Sequence, residues 1–494
     1  MAHYPIKCTR CAHIMDNSTV LFDTANAVVA MADVLTGRND DKPVESFEQT
    51  QKQENKKESP KKSVSIWDDE DDDNSFDSGF EEEETSQELQ KFMTYAQIQK
   101  YCSDNSIDEP MPMYQSVSVS PDFASFRSDD LGLLTGVNFK KQKGGQAYIA
   151  RRRFCPACKC ELPAQSGAMP TYNLTIMGTS ASGKTVFLCA LNRLLAVGRC
   201  TLPYNSELTC VSANRANNDL VQRSNVLFEE GVLPGTTQIF LTEPLVIQMT
   251  YRIQKYTKKC LVALSDMRGE DLAATGGENL IARSKFFSSA DAFMILISPL
   301  NIPNIVNKIP QNKGETGNAA VHQALMSNIN EYILPSFTDG EIKAPCAIAM
   351  SKCDILMNFV DYLGISHSNA VVAADPPIAY TGTYFRNQDR GTREIVKEDF
   401  TLYNYLQSIF RRCYFSSFSS LGINADIVED DGVQKVKNPN YIKPIRVVDP
   451  IVYILIELGF LPAFYNMEVG GPENQQRNVD ILNRWVNDRT AKNS

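Results

Sequence analysis

An eight-residue phosphate-loop pattern constrains the fold of this chain more than any other feature. Gly178-Thr179-Ser180-Ala181-Ser182-Gly183-Lys184-Thr185 fits GxxxxGK[ST] at every fixed position, between an apolar run (174–177) and a helix-forming run (186–195). Glycines let backbone N–H groups wrap around phosphates, and the N-terminus of the following helix adds partial positive charge. Lys184 is expected to reach the β- and γ-phosphates, and the Thr185 hydroxyl to bind Mg²⁺. The alternative is a chance turn, which leaves the flanking strand and helix patterns unexplained.

The pattern of apolar residues after Tyr172 predicts a three-layer α/β domain with a mostly parallel sheet. The predicted strands are 173–177, 245–251, 259–265, 292–298, 346–350 and 412–415. The second and third of these are expected to form one antiparallel hairpin. The predicted helices are 183–195, 319–333, 400–410 and 450–458, with a short helix at 479–486 near the end of the chain.

A second nucleotide motif, Asp266-x-x-Gly269, follows the predicted strand 259–265. In P-loop switch proteins an Asp at this place binds Mg²⁺ through water, and the Gly N–H contacts the γ-phosphate. DxxG alone is common by chance, so its position after an apolar strand carries the prediction. The threonine that closes over Mg²⁺ is expected in 233–237, with Thr237 preferred and Thr236 next. A plain β-turn explains that segment about equally well.

A third motif, Ser351-Lys352-Cys353-Asp354, follows the predicted strand 346–350 and resembles the [NT]KxD motif of GTPases. The Asp354 carboxylate would accept the N1–H and N2–H₂ donors of guanine, a pair that adenine lacks. The Lys352 stem would pack on the base, while Ser351 stands where Asn or Thr is usual. The alternative is an ordinary strand end with Asp354 capping a helix, and the two interpretations are compatible.

A less specific motif lies at 413–422, where a strand would end in the turn Ser419-Ser420-Leu421. It resembles the turn of GTPases whose backbone contacts the guanine oxygen, and Ser420 is the residue assigned to that contact. A plain serine-rich loop explains the segment about as well.

The order of these motifs resembles the TRAFAC class of GTPases and, more narrowly, the bacterial double-GTPase family, in which a zinc ribbon precedes the GTPase domain. The similar features are a Cys-Pro-x-Cys knuckle, an LPxxT segment (233–237), DxxGE (266–270) and a closing P-x-x-V-x-x-P (444–450). The resemblance covers about 169–465 plus the cysteine pairs. It implies Mg²⁺-dependent GTP binding and hydrolysis, and a role beside a protein partner such as a second GTPase, in bacterial conflict or signalling.

Glu270 departs from the Gln that orients the attacking water in Ras-like enzymes. A carboxylate beside the γ-phosphate is unfavourable unless it is protonated or paired, and Arg268 and Arg283 are near only in sequence. We therefore predict slow intrinsic hydrolysis that a partner stimulates by supplying positive charge. The alternatives are a GTP-binding switch or scaffold with little turnover, and an ATPase.

Two cysteine pairs, Cys8-x₂-Cys11 and Cys155-x₂-Cys158, have the spacing of a tetrahedral zinc site. The pairs are separated by 143 residues, but loop closure grows slowly with length, so the separation costs under roughly 2 kcal/mol. His13 and Cys160 are the competing ligands. The alternative is four unrelated reduced thiols, and most other cysteines lie in apolar runs and are expected in the core.

The acidic character of the chain comes from one segment. Residues 68–88 hold 12 carboxylates and no Lys or Arg, and removing them from the net charge of −10 leaves +2. Such a segment buries too little apolar surface to order, so 39–91 is predicted to be disordered. The predicted domains are 1–38 (first zinc-ribbon half), 39–138 (mostly disordered acidic insert), 139–168 (second ribbon half), 169–465 (GTPase domain) and 466–494 (tail).

Charge and hydropathy also bear on partners. Six basic residues flank the second knuckle: Lys140, Lys141, Lys143, Arg151, Arg152 and Arg153. They leave nucleic-acid binding open beside a more common alternative, a solvated hairpin (strands 137–141 and 146–152). A third interpretation is a contact with the acidic segment, which salt would weaken. No leader pattern follows Met1 and no apolar run has the length of a membrane span, so a cytoplasmic protein is expected.

Outside the predicted GTPase domain, helices are also considered at 25–35 and 92–101.

Overall fold

The structure is a computed structural model that divides the chain into two compact units. The larger unit comprises Met1–Asn17, Asp130–Leu133 and Ala157–Ser494, and the smaller unit Ser18–Asp129 and Leu134–Pro156. The structure describes residues 4–15, 20–23, 92–93, 124–128, 133–139, 148–150, 152–158, 160–179, 182–196, 200–213, 216–234, 244–267, 287, 289–308, 319–337, 340–357, 380–422, 426–430, 432–468 and 470–490.

The larger unit begins with a short antiparallel hairpin, β1 (Ile6–Lys7) and β2 (Ile14–Met15). In the smaller unit, β3 (Leu21–Asp23) pairs antiparallel with both β4 (Phe92–Met93) and β8 (Arg153–Phe154). A second small sheet consists of β5 (Ala124–Ser128), β6 (Leu134–Phe139) and β7 (Tyr148–Ala150), with β6 in the middle. The larger unit continues at β9 (Glu161–Leu162).

The smaller unit both confirms and corrects the sequence predictions. The predicted hairpin 137–141 with 146–152 is present as β6 and β7, in the register Val137↔Ala150. The helix considered at 92–101 does not begin where expected, because Phe92 and Met93 pair as a strand with residues 22–23. Strands β4 and β5 also lie inside 39–138, the range predicted to be mostly disordered. The helix considered at 25–35, the segment 39–91 and the Gly144-Gly145 turn lie outside the described residues.

One sheet of eight strands forms the centre of the larger unit, in the order β11-β12-β13-β14-β10-β15-β16-β17. Its strands are β10 (Thr171–Gly178), β11 (Cys200–Leu202), β12 (Ser206–Ser212), β13 (Leu245–Ile253), β14 (Tyr256–Met267), β15 (Ala292–Ile297), β16 (Cys346–Met350) and β17 (Cys413–Ser417). Strands β14, β10, β15, β16 and β17 are parallel. Strands β11, β12 and β13 extend the sheet in antiparallel pairing, so the predicted hairpin of β13 with β14 is confirmed.

Helices cover both faces of this sheet. They are α1 (Lys184–Ala196), α2 (Ala216–Asn225), α3 (Pro303–Val306), α4 (Ala319–Asn328), α5 (Cys353–Met357), α6 (Gly382–Val396), α7 (Phe400–Ile409), α8 (Asp449–Glu457) and α9 (Pro472–Thr490). Helices α2 and α4 continue as π-helical turns at Val226–Glu230 and Ile329–Ile333. A two-stranded hairpin, β18 (Ile427–Asp430) with β19 (Val433–Val436), stands apart from the main sheet.

Alternate residues of the central strands enter two different hydrophobic cores, as expected for a sheet buried on both faces. On β15, Met294 and Leu296 pack in the core that contains α1 and α8, while Phe293 and Ile295 pack in the core that contains α4 and α7. The three-layer α/β arrangement with a mostly parallel sheet is therefore present. None of the helices in the described parts of the chain is long and apolar enough to cross a membrane.

The differences from prediction lie at the edges of the fold. The elements that were not predicted include strands β11, β12, β18 and β19 and helices α2, α3 and α6, and helix α9 spans 19 residues rather than the short 479–486. The last helix is longer because its polar, exposed first turns lack the apolar periodicity on which the prediction relied. Val479 is exposed, whereas Trp485 packs against the main core.

Candidate functional site

The predicted nucleotide motifs meet at one edge of the sheet. In the register of the sheet, Gly178 of β10 is paired with Leu296 of β15, and Leu296 is paired with Ala349 of β16. One residue further along β16, Met350 is paired with Ser417 of β17. Because these strands are parallel, the segments that leave their carboxyl ends lie side by side. Ligands of open α/β sheets bind at this edge. The phosphate-loop pattern, the Ser351–Asp354 segment and the turn after β17 therefore lie side by side at this edge.

The phosphate loop leaves β10 at Gly178 and enters α1 at Lys184. The Thr179 N–H donates to the Leu296 carbonyl at 3.3 Å, and the Ser182 N–H donates to the Thr179 carbonyl at 3.1 Å. Gly183 has a φ of +78°, a left-handed conformation that favours glycine at this fixed position of the motif. Ser180 and Ala181, between these anchored residues, lie outside the described residues.

Lys184 reaches from the first turn of α1 back across the loop. Its Nζ donates a 3.3 Å hydrogen bond to the Gly178 carbonyl, so the ammonium group lies at the strand end where phosphates would bind. The first turn of α1 carries no acidic side chain, so its partial positive charge is not neutralised locally. The buried Ser182 hydroxyl has no hydrogen-bond partner within the described part of the chain. This combination of donors suits an anionic ligand.

The Ser351–Asp354 segment is fixed to its neighbours through the backbone. The Ser351 N–H donates to the Ile297 carbonyl at 2.9 Å, and the Cys353 N–H donates to the Phe418 carbonyl at 3.1 Å. Lys352 has a φ of +53°, which is uncommon for a residue other than glycine. Backbone conformations of this kind are found where surrounding contacts hold them, often at binding sites.

Asp354 is half-buried at the start of α5. Burial raises the pKa of its carboxyl, while a hydrogen bond with the Ser419 side chain and the charge of Lys352 act in the opposite direction. Such a carboxylate accepts donors strongly, because removal from water strengthens each hydrogen bond that it makes. The contact also connects the two segments predicted to read a guanine base.

Asp266 lies at the end of β14, next to Ile176 of β10 in the register of the sheet. Its backbone is therefore at the same edge as the phosphate loop. The rest of the predicted switch machinery lies outside the described residues: the Asp266 side chain, Arg268, Gly269, Glu270, Arg283, Thr236 and Thr237.

The four cysteines of the two knuckles form a second cluster. The boundary between the two units falls at Pro156–Ala157, inside the second knuckle. The Sγ atoms of Cys8, Cys11, Cys155 and Cys158 all lie within 4.8 Å of one another, and Cys8 Sγ is 3.6 Å from Cys158 Sγ. A tetrahedral Zn²⁺ with bonds of about 2.3 Å holds its sulfurs about 3.8 Å apart. The cluster therefore fits zinc, and neither His13 nor Cys160 belongs to it.

Backbone donors support the first knuckle. The N–H groups of Arg10 and Cys11 point at Cys8 Sγ, at 3.4 and 3.5 Å, and Ala12 has a φ of +56° that closes the turn. N–H donors of this kind stabilise a thiolate, the form of cysteine that binds a metal. The local arrangement suits metal-bound sulfur better than four unrelated thiols.

The N-terminal hairpin is attached to the sheet at the edge away from the phosphate loop. Lys7 Nζ donates to the Asp291 carboxylate at 2.6 Å, and that carboxylate also accepts from the Asn173 N–H at 2.7 Å. Asn173 Nδ2 donates to the Cys8 carbonyl at 3.5 Å. Asn173 and Asp291 lie at the beginning of β10 and just before β15, so the hairpin sits at the amino ends of these strands.

The basic residues around the second knuckle are not one solvated face. Arg153 is only 3 % exposed. Arg152 is exposed and lies over the Phe154 ring at 5.2 Å. The other four basic residues lie outside the described residues.

The structure adds three contacts that the sequence analysis did not predict. Asn301 Nδ2 donates to Thr179 Oγ1 at 2.9 Å, which joins the segment after β15 to the phosphate loop. The Phe187 and Phe418 rings are 4.9 Å apart and connect α1 to the turn after β17. The buried Asp449 accepts hydrogen bonds from the hydroxyls of Tyr380, at 2.8 Å, and Tyr384. Only Asp449, an acid at the start of an apolar helix, had a sequence signal.

Comparisons with known proteins add little to this geometry. No protein-family model matches the sequence, and no curated protein matches it. Among solved structures, one match is a chain of the "Signal recognition particle receptor SRb-GTP/SRX complex from Chaetomium thermophilum", with 11 % identity, a TM-score of 0.25 and coverage of 51 % of this chain and 92 % of that chain. A likeness of this size carries no argument, and the sheet order and register above stand on their own.

Proposed function

We propose that this chain binds guanine nucleotides at the edge where β10, β16 and β17 end. The observation that carries the proposal is that the phosphate-loop pattern, the segment of Asp354 and the turn after β17 lie side by side, with the Cys353 N–H bonded to the Phe418 carbonyl. Phosphates would take the N–H groups of the loop and the Lys184 ammonium. The base would take the Asp354 carboxylate through its N1–H and N2–H₂ donors.

The magnesium ion of the proposed site would be held by the Thr185 hydroxyl and, through water, by Asp266. Mg²⁺ neutralises charge on the β- and γ-phosphates when it is bound. Thr185 is in the first turn of α1 beside Lys184, and the Asp266 backbone lies one strand away from Gly178. This is the arrangement that the chemistry of the donor set supports.

The proposed reaction is slow hydrolysis of GTP, stimulated by a protein partner. Glu270 would stand where an attacking water is usually oriented by Gln, and a carboxylate there repels the γ-phosphate. A partner that supplies a positive charge would relieve this repulsion. Membership of the bacterial double-GTPase family, and a second GTPase as the partner, are part of this proposal and rest on the motif resemblance.

The four-cysteine cluster is proposed to bind one structural Zn²⁺. Its four thiolates leave no open coordination position, which is typical of a structural rather than a catalytic site. The role proposed for the metal is to fold the N-terminal hairpin and hold it against the sheet through Lys7 and Asp291.

The experiment that tests guanine binding compares GDP, XDP and ADP by isothermal titration calorimetry with Mg²⁺ present. We expect wild-type protein to prefer GDP to ADP, and Asp354→Asn to shift the preference toward XDP, because an amide offers a donor to the xanthine O2. Asp430→Asn, an exposed change on the β18–β19 hairpin, is the matched control and should alter neither preference. Equal affinity of the wild type for GDP and ADP would reject the guanine assignment and favour an ATPase.

Lys184→Ala tests the phosphate half of the site. Loss of the ammonium should weaken GDP and GTP binding about 100-fold or more, since the proposed charge-assisted contact to phosphate is removed. Single-turnover assays with wild-type protein alone then distinguish a slow GTPase from a switch without turnover. Turnover of several GTP per second without a partner would contradict the proposed slow hydrolysis.

A further inference from the structure

The turn that follows β17, residues 419–422, is hydrogen-bonded to residues 443–445. Between these two segments the chain makes an excursion that includes the β18–β19 hairpin. The Ser419 N–H donates to the Ile445 carbonyl at 3.0 Å, and the Ile445 N–H donates back to the Ser419 carbonyl at 2.8 Å. The Lys443 N–H then donates to the Leu421 carbonyl at 2.8 Å. These three bonds use the backbone of Ser419 and Leu421 and leave the Ser420 N–H out of the pairing.

Glycine is required where the two segments come closest. Gly422 has a φ of +90°, and a Cβ at this position would lie 2.2 Å from the Lys443 carbonyl oxygen and 3.0 Å from its carbon. These are backbone atoms, so no side-chain rotation relieves the clash. The Gly422 N–H also donates to Ser419 Oγ at 2.8 Å, which closes the turn from within. Any side chain at 422 must therefore push the turn away from the returning segment.

The opposite side of the turn touches the segment that carries Asp354. The Phe418 N–H donates to the Met350 carbonyl at 2.8 Å, and the Phe418 carbonyl accepts the Cys353 N–H. The Ser419 side chain also acts on the Asp354 carboxyl, whose pKa it lowers against the effect of burial. The turn is thus fixed between the base-reading segment on one side and 443–445 on the other.

The returning segment is itself anchored in the core. Arg446 is buried and has a φ of +56°, and its carbonyl accepts the Asp449 N–H at 3.1 Å. Asp449 is fully buried under the hydroxyls of Tyr380 and Tyr384. The segment 443–445 therefore leads directly into the buried start of α8.

We propose that Gly422 and the segment Lys443–Ile445 are positioning elements for the guanine base, which hold the Ser420 N–H toward its 6-oxo group. The inference rests on the proposed guanine site and on the contact of the Ser420 N–H with the guanine oxygen, which the resemblance to GTPases implies. A 6-oxo group accepts a hydrogen bond where the 6-amino group of adenine donates one, so a fixed N–H at this place selects guanine independently of Asp354. The selectivity comes from position, because a backbone N–H reads the base only if the turn cannot move.

The test compares Gly422→Ala with Gly432→Ala. Gly432 also has a positive φ, +74°, and lies in the same excursion, but a Cβ there meets no atom within 4 Å. The ligands are GDP, 6-thio-GDP and IDP. Sulfur at position 6 accepts hydrogen bonds weakly, and IDP keeps the 6-oxo group but lacks the 2-amino group that Asp354 would read.

We expect wild-type protein to prefer GDP to 6-thio-GDP, and Gly422→Ala to reduce this preference about tenfold, the size of one lost hydrogen bond. The ratio of GDP to IDP affinity should change much less, and Gly432→Ala should leave both ratios unchanged. A Gly422→Ala protein that is folded by circular dichroism and keeps the wild-type GDP to 6-thio-GDP ratio would overturn the inference.

A second variant covers the case in which Gly422→Ala does not fold. Ser419→Ala removes the acceptor of the Gly422 N–H without adding atoms, so it should loosen the turn and reduce the same ratio in the same direction. An unchanged ratio in this variant also overturns the inference. If wild-type protein fails to prefer GDP to ADP, the proposed function itself fails, which is a different result from a wild-type preference that neither variant alters.

Discussion

The ammonium group of Lys258 donates a 2.8 Å hydrogen bond to the carbonyl of Gly459, the residue that follows the C-cap of α8. It donates a second, also 2.8 Å, to the Phe460 carbonyl and lies 4.5 Å from the centre of the Phe460 ring. The side chain is 9 % exposed. A cation at a helix C-terminus satisfies carbonyl groups that lack helical partners and interacts well with the helix dipole. Lys258 therefore joins β14 to the end of α8.

We expect Lys258→Met to lower the free energy of unfolding by about 1–3 kcal/mol, because the buried Phe460 carbonyl and the part-buried Gly459 carbonyl lose a charged donor. Chemical denaturation followed by circular dichroism measures the change. Lys259→Met, on the exposed neighbouring residue, is the control and should change stability by less than about 0.5 kcal/mol. Equal stability of the two variants would show that Lys258 contributes no more than its apolar stem.

Gly178 gives a second prediction, at the point where β10 becomes the phosphate loop. A Cβ there would lie 2.6 Å from Ser182 Oγ and 3.1 Å from both the Cβ and the carbonyl oxygen of Leu296. We expect Gly178→Ala to move the loop and weaken GDP binding about tenfold or more, with a loss of stability near 1–2 kcal/mol.

Gly340→Ala is the control for Gly178→Ala, because no atom lies within 4 Å of a Cβ built there. It has a positive φ, so some stability is lost, but GDP affinity should stay at the wild-type value. Calorimetric titration with GDP measures both variants. Unchanged affinity in Gly178→Ala would mean that the loop tolerates a methyl group at its first position.

The parts of this fold that the sequence predicted are those in which local pattern and tertiary structure agree. Strand β16 has the predicted bounds because its five residues are apolar and all are buried. The turn from β10 into α1 was predictable because its glycines and Lys184 lie within eight consecutive residues. In both cases the neighbouring residues contain the information.

The parts that could not be predicted depend on pairings between distant residues. Strand β12 joins the sheet through β13, about 40 residues later, and its alternating pattern is equally consistent with a surface hairpin. The turn at 419–422 was recognised, but its partner 443–445 was seen only as a motif. No spacing rule connects Gly422 to the Lys443 carbonyl, since the residues between them form a separate hairpin.

Asp449 makes stability depend on pH in a predictable direction. Burial raises the pKa of its carboxyl to about 6, although hydrogen bonds from Tyr384 and Tyr380 and the charge of Arg446 lower it. The folded state therefore holds a proton more tightly than the unfolded state, in which the pKa is 3.8. The contribution of this proton to stability is fully present below about pH 4 and is lost as the pH rises through about 6.

We expect Asp449→Asn to be less stable than wild type, and its deficit to shrink as the pH rises from about 4 to 6, by roughly 1–3 kcal/mol. Denaturation curves at several pH values for both proteins measure this difference. The exposed change Asp426→Asn is the control, and its difference from wild type should be flat over the same range. A deficit that grows with pH would mean that the carboxyl is ionised more easily in the folded state.

Removal of metal from the cysteine cluster should affect folding more than nucleotide binding. The hairpin that carries Cys8 contacts Asn173 and Asp291, and Asn173 is five residues, or about 17 Å of strand, from Gly178. We expect one Zn²⁺ per chain by inductively coupled plasma mass spectrometry, and a lower melting temperature after treatment with a strong chelator. Zinc binding supplies folding free energy when the ligands are not preformed in the unfolded chain.

Cys155→Ser and Cys160→Ser form a matched pair for this prediction, because Cys160 is close in sequence but lies outside the cluster. Cys155→Ser should lose the zinc and the dependence of the melting temperature on chelator, whereas Cys160→Ser should keep both. GDP affinity of folded Cys155→Ser protein should stay within about threefold of wild type, since the phosphate loop is at the other end of β10. Full zinc content in Cys155→Ser would remove the proposed site, and a large loss of GDP affinity with the fold intact would show that the two ends of the sheet are coupled.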